Sequence, residues 1–93
     1  MPIGKVKRVI DGDTFQLKGG EYVRIVGLDA PELNQRGGLA AKRRLQSKMR
    51  QGTQVGLSMP VTKSYGRVVR KVTVNQKNVT KLVAKPKSQR RNK

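Results

Sequence analysis

The sequence predicts a small α+β domain, mainly β, and three observations carry that prediction. The first is length, since 93 residues make one domain and not two. The second is the choice of apolar residue. Leu, Ile, Val and Phe supply 23 of the 93 residues, roughly 25% and above the level of about 20% below which charged chains stay disordered. Val and Ile together outnumber Leu by 15 to 7, and branching at Cβ favours extended backbone, so the core should be mainly sheet. The third is patterning: short apolar runs punctuated by Gly and Asp, with helical spacing in two segments.

Residues 6–10 form an apolar-rich run that ends at Asp11-Gly12-Asp13, a turn signal, and residues 14–17 resume with Phe15 and Leu17 on one face. This pattern predicts a β-hairpin. Lys18-Gly19-Gly20-Glu21 is a second turn, after which residues 22–28 alternate, with Tyr22, Arg24 and Val26 facing opposite to Val23, Ile25 and Gly27. A three-stranded antiparallel meander follows. Pro31 lacks an amide hydrogen and restricts Ala30 to extended geometry, so Asp29-Ala30-Pro31-Glu32 takes the chain out of the sheet.

Residues 39–50 place Ala41, Leu45 and Met49 at i, i+4 and i+8, with Lys42, Arg43, Arg44, Lys48 and Arg50 largely elsewhere and Gly52 just beyond. That is an amphipathic helix. Residues 54–59 and 68–74 are the remaining strands, separated by a polar loop at 62–67, and residues 78–84 carry Val79, Leu82 and Val83 at the spacing of a short second helix. From 85 to 93 there is no apolar residue while five are basic, which predicts a disordered basic tail. Three strands, a helix, two strands and a helix within residues 1–84 fit a small, partly closed five-stranded barrel of the OB type.

Charge narrows the function. The 22 Lys and Arg against 5 Asp and Glu give +17, and so basic a small chain points to a polyanion, because cations that meet phosphates release condensed counterions. Nucleic acid, DNA or RNA, is the expected partner. Without Cys or His there is no disulfide framework, no zinc or haem site of the usual kinds, and no Cys or His nucleophile or base. Any catalysis falls to carboxylates, Lys, Arg, Tyr or hydroxyls. No apolar run approaches the roughly 20 residues that span a bilayer, and residues 1–9 hold no signal-peptide core, so a cytoplasmic protein with no membrane partner is expected. The oligomeric state stays open, a monomer included.

The five acids are Asp11, Asp13, Glu21, Asp29 and Glu32, and four of them fall in the two segments that end strands. If the segments meet, three or four carboxylates share one pocket. Like charges raise each other's cost of ionisation, so such a cluster calls for a cation, and Asp oxygens suit hard ions such as calcium or magnesium. The competing reading is that Asp11 and Asp13 cap a tight turn through their own backbone while Asp29 and Glu32 pair with surface Lys or Arg.

At this point three segments carry a resemblance: Val9-Ile10-Asp11-Gly12-Asp13-Thr14, then Val23-Arg24-Ile25-Val26-Gly27-Leu28-Asp29-Ala30-Pro31-Glu32, then Tyr65-Gly66-Arg67-Val68. Their types and order resemble the signature segments of the staphylococcal nuclease (thermonuclease) family, over residues 6 to about 84. The resemblance implies an OB-type fold and a metal-dependent, sugar-nonspecific nuclease that leaves 3′-phosphates. By position, Asp13 and Asp29 resemble the family's calcium-binding aspartates, with the backbone carbonyl of Ala30 as a further ligand. Calcium is the implied ion, with magnesium or manganese as alternatives. Glu32 resembles the glutamate that activates the attacking water. Arg24 and Arg67 match the two arginines that grip the scissile phosphate, Tyr65 resembles a tyrosine that contacts a terminal phosphate, and Asp11 looks like a carboxylate supporting the metal ligands. Ala30 stands where threonine is common, and Lys63 and Ser64 stand where an acid often precedes the Tyr-Gly-Arg segment.

The chemistry of the residues agrees with those roles. Attack on a phosphodiester builds charge on equatorial oxygens, and planar guanidiniums stabilise such charge with paired donors that Lys does not offer. One difficulty is geometric: Arg24 precedes Asp29 by five residues, and regular alternation would put them on opposite faces, so a bulge near Gly27 is expected. The alternative from another class is a nuclease-like module, catalytically weak or inactive, that binds nucleic acid without sequence preference.

Overall fold

The computed structural model describes residues 3–64 and 66–83, so the tail expected at 85–93 lies outside the described residues. The elements run β1 (Ile3–Asp11), β2 (Thr14–Leu17), β3 (Tyr22–Ile25), α1 (Gly38–Lys48), β4 (Gln54–Leu57), β5 (Thr62–Ser64), β6 (Arg67–Arg70), β7 (Val72–Val74), β8 (Lys77–Asn78) and α2 (Val79–Val83). The class is the one expected: a small α+β fold, mainly strands, with two helices. The β1–β2–β3 meander is antiparallel, with Asp11 opposite Thr14 at the first turn and Thr14 opposite Arg24 at the second ladder.

The strand count differs from the expected five. Among the described residues eight strands form one sheet in the order β5-β6-β3-β2-β1-β4-β7-β8, and no ladder there joins the outer strands β5 and β8, so the sheet is not closed by hydrogen bonds. The segment at 62–67, expected as a polar loop, contains β5, whose Thr62 and Lys63 lie opposite Val69 and Val68. An edge strand needs backbone partners rather than apolar side chains, so its polar residues leave no period-2 signal. The run at 68–74 divides at Lys71: β6 pairs in parallel with β3, whereas β7 pairs antiparallel with β4.

The core is mainly sheet, as the excess of Val and Ile predicts. Phe15, Ile25, Leu45, Met49, Val6 and Val23 are its largest fully buried side chains. Helix α1 seats Ala41 and Leu45 on the sheet, and Met49 follows at its C-terminal cap, where its N–H donates to the Leu45 carbonyl. The turn after α1 is tied to β1 by two backbone bonds, Gly52 N–H to the Val6 carbonyl at 2.7 Å and Val6 N–H to the Thr53 carbonyl at 2.9 Å.

Glu21, the acid with no place in the motif, has a structural partner. Its carboxylate accepts from Arg70 Nε at 2.8 Å, while Arg70 Nη1 donates to the Ser58 carbonyl at 2.7 Å. One guanidinium thus fastens β6 to the turn before β3 and to the segment after β4. Replacing Arg70 with Met should lower stability by about 1 kcal/mol, since the pair is partly solvated, and urea denaturation measures it.

Candidate functional site

The two acidic segments meet. Asp13, in the β1–β2 turn, is only 6% exposed, and its carboxylate is held on both oxygens: Thr14 Oγ1 donates to Oδ1 at 2.9 Å and the Ala30 amide donates to Oδ2 at 3.2 Å. The second contact joins residues 17 apart in sequence and brings the two loops together. Asp11 acts on Asp13, because its Oδ1 accepts the Asp13 amide hydrogen at 3.2 Å.

Arg24 links the aspartates. Its Nε lies 3.6 Å from Asp13 Oδ2 and its Nη2 lies 3.4 Å from Asp29 Oδ1, so one guanidinium stands between two carboxylates. The facing problem is resolved differently from the bulge expected near Gly27. Strand β3 stops at Ile25, Leu28 N–H returns to the Ile25 carbonyl at 3.3 Å, and Gly27 takes a left-handed φ of 79° that side chains disfavour. Alternation therefore ends before Asp29, and the turn brings that residue back to Arg24.

Arg67 reaches the same place from β6. Its Nη1 donates to Thr14 Oγ1 at 3.1 Å, so Thr14 accepts from Arg67 while donating to Asp13. With β3 lying between β6 and β2, Arg67 spans about two strand spacings, roughly 10 Å, a reach suited to a long side chain. Thr14 is the member of the site to which sequence reasoning gave no role. A hydroxyl next to an acid at a turn was its one available signal, and it reads equally well as β-propensity.

Glu32 lies two residues beyond Ala30 in an exposed loop, where its amide donates to Gln35 Oε1 at 3.0 Å. Its carboxylate makes no ion pair or hydrogen bond among the described residues. Tyr65 lies outside the described residues. The structure thus joins Asp11, Asp13, Arg24, Asp29, Ala30 and Arg67, through Thr14, in one connected group and leaves the Glu32 carboxylate outside it among the described residues.

Both segments rest on α1 where side chains are missing. A Cβ on Gly12 would lie 2.6 Å from the Cβ atoms of Ala30 and Ala41, and one on Gly38 would lie 1.9 Å from the Glu32 carbonyl oxygen. Gly12 thus permits close packing against the two alanine methyls, and Gly38 close approach to the Glu32–Leu33 backbone.

The two turn aspartates titrate apart. Burial and the neighbouring Asp13 raise Asp11 above the ordinary carboxylate range. Burial also acts to raise Asp13, but it is outweighed by hydrogen bonds from Asp11, the Ala30 amide and the Thr14 hydroxyl and by the Arg24 charge, so Asp13 is lowered. On acidification Asp11 takes its proton first. The signs follow by linkage: the contribution of Asp13 to stability is present above its unfolded pKa and lost as pH falls through its folded one, whereas that of Asp11 is present below its unfolded pKa and lost as pH rises through its folded one. Carboxyl-carbon NMR titration should find Asp13 below Asp11, and Arg24→Met should move Asp13 upward. Coincident titrations in the wild type would contradict the arrangement.

Could these residues hold a cation? Among the described residues no group of three or more acidic side chains has a metal-holding arrangement. Asp13 and Asp29 nevertheless already share one positive partner, Arg24, and Asp29 leaves 95% of its side-chain surface to solvent. Two hard carboxylates converging on a charge fit calcium in chemistry. Comparison with protein-family models and with curated proteins found no match to either.

Proposed function

We propose that the protein is a calcium-dependent, sugar-nonspecific nuclease that hydrolyses phosphodiesters of DNA and RNA and leaves 3′-phosphates. One observation carries the reading: Arg24, Arg67, Asp13 and Asp29, drawn from two strands, a turn and a loop, are tied together through Thr14 and the Asp13 carboxylate. Asp13 and Asp29, with the Ala30 carbonyl, would hold the ion, which supplies positive charge against the phosphate oxygens. Arg24 and Arg67 bind those oxygens in pairs and meet the charge that grows on them. Glu32, whose carboxylate is exposed, takes the proton of the attacking water as the new P–O bond forms and the bond to the 5′-oxygen breaks.

The same reading makes the fold a partly closed OB-type barrel of the staphylococcal nuclease kind, its sheet divided into more strands than the expected five. Its support is that β6 and β7 are separated by Lys71 alone while β6 pairs with β3 on one side of the meander and β7 pairs with β4, which flanks the meander on the other. Among the described residues no helix is long and apolar enough to cross a membrane, and a cytoplasmic setting belongs to this proposal.

The test is cleavage of DNA and RNA with calcium, with magnesium or manganese, and with chelator. Calcium-dependent cutting that yields 3′-phosphate ends is expected, and chelator-resistant cutting would sink the mechanism. The charge of +17 favours a second reading, binding without cleavage, which predicts chelator-independent retention of both nucleic acids and no products.

A further inference from the structure

Away from the carboxylates, a cleft of about 270 Å³ opens between β1 and the C-terminal end of α1. Its cations are Lys7, Arg8 and Arg50, its floor includes the buried Val9 and Met49, and Gln46 adds an amide. No carboxylate is among its lining residues. We propose that this cleft is a second phosphate subsite that grips the nucleic-acid backbone at a distance from the bond that is cut. The proposal rests on nucleic acid being the protein's polyanion.

Three features suit the cleft to that ligand. The first is orientation: Arg8 donates from Nε to Gln16 Oε1 at 3.2 Å, and Gln16 in turn donates to the Gly20 carbonyl at 3.2 Å. A buried glutamine that the candidate site does not use thereby holds the Arg8 fork, leaving its terminal nitrogens for an anion. Rigidity is the second. Gly52 N–H to the Val6 carbonyl and Thr53 N–H to the Arg50 carbonyl at 2.9 Å fix the turn that carries Arg50 against the strand that carries Lys7 and Arg8. The third is composition, because an apolar floor under a cationic rim matches a sugar lying beneath its phosphates.

Spacing sets the register. Gly12 of the candidate site packs at Ala41, and the cleft lies at Met49, eight residues or about 12 Å further along the helix direction. At about 3.4 Å of axial rise per nucleotide, that is about three to four nucleotides of a stacked strand. A long strand spans both places, whereas a dinucleotide reaches one.

The test compares two triple variants of equal charge. Lys7→Gln with Arg8→Gln and Arg50→Gln empties the cleft of cations; Lys71→Gln with Lys77→Gln and Lys81→Gln removes three exposed cations from the β7, β8 and α2 side. Binding of a labelled single-stranded oligonucleotide is measured in chelator across a salt series. Losing three phosphate contacts should flatten the slope of log K against log salt by about 2 in the cleft variant, and by less than half of that in the other. In calcium, the cleft variant should raise KM for a long oligonucleotide and leave a dinucleotide substrate unaffected. Equal flattening in both variants would reduce the cleft to bulk charge and overturn the proposal, as would no flattening in either. Wild-type protein that binds without cutting would refute the proposed nuclease while the slope comparison still decides the cleft.

Discussion

Replacing Arg67 with Met should lower calcium-dependent cleavage several-hundred-fold with little loss of stability. Removing one preorganised donor from a site where negative charge develops typically costs 10²–10³ in turnover, or about 2.7–4 kcal/mol of barrier. Arg67 is placed for that role because, among the described residues, one bond to Thr14 Oγ1 at 3.1 Å anchors it, which leaves the rest of the guanidinium for an incoming phosphate. Arg67→Lys should not restore the rate, since an ammonium offers no planar pair of donors. Thr14→Val gives an informative intermediate: it removes the hydroxyl that positions both Arg67 and Asp13, so turnover should drop by less than in Arg67→Met while the apparent calcium affinity drops as well. An Arg67→Met protein that cuts at the wild-type rate would show that the phosphate is held elsewhere.

Why some of this was legible in the sequence and some was not follows from the range of the interactions. Helix α1 was legible because Ala41, Leu45 and Met49 write the 3.6-residue period into the chain, and the structure buries all three. The acids were legible because carboxylates are rare in so cationic a chain, so the two loops that hold four of the five stand out. The meeting of Arg24 with Asp29 was expected from the resemblance, but the means was not legible, since it depends on where β3 stops and on the left-handed turn at Gly27 rather than on a bulge. Strand β5 escaped because backbone pairing at an edge carries no side-chain signature, and the Glu21–Arg70 pair because its members are 49 residues apart. The double role of Thr14 is of the same kind. Local periodicity fixes elements; contacts made across the fold do not show in it.

Glu32 offers the sharper test, because its position can be disturbed without touching its side chain. Gly38 begins α1 directly beneath it, and a Cβ there would lie 1.9 Å from the Glu32 carbonyl oxygen, 2.7 Å from its carbonyl carbon and 2.9 Å from the Leu33 Cα. These are backbone atoms, which no rotamer change can clear. In Gly38→Ala either the helix start or the loop must shift. Residues 31–37 are all exposed and held by short-range bonds such as Gln35 N–H to the Glu32 carbonyl at 2.9 Å, whereas α1 is pinned to the core by Ala41 and Leu45. The loop is therefore what moves. Overpacking of this kind costs typically about 1–3 kcal/mol of stability, whereas a misplacement of about 1 Å at the chemistry can cost 10²-fold in rate. Gly38→Ala should thus remain folded, bind an oligonucleotide in chelator as the wild type does, and lose about a hundredfold in kcat. Glu32→Gln should lose at least as much, and the two changes together little more than the larger alone, since both disable the same proton acceptor. Gly19→Ala, where an added Cβ meets nothing within 4 Å, is the control. Undiminished turnover in Glu32→Gln would remove this residue from the mechanism. A fully active Gly38→Ala would mean that the loop need not hold Glu32 in one place.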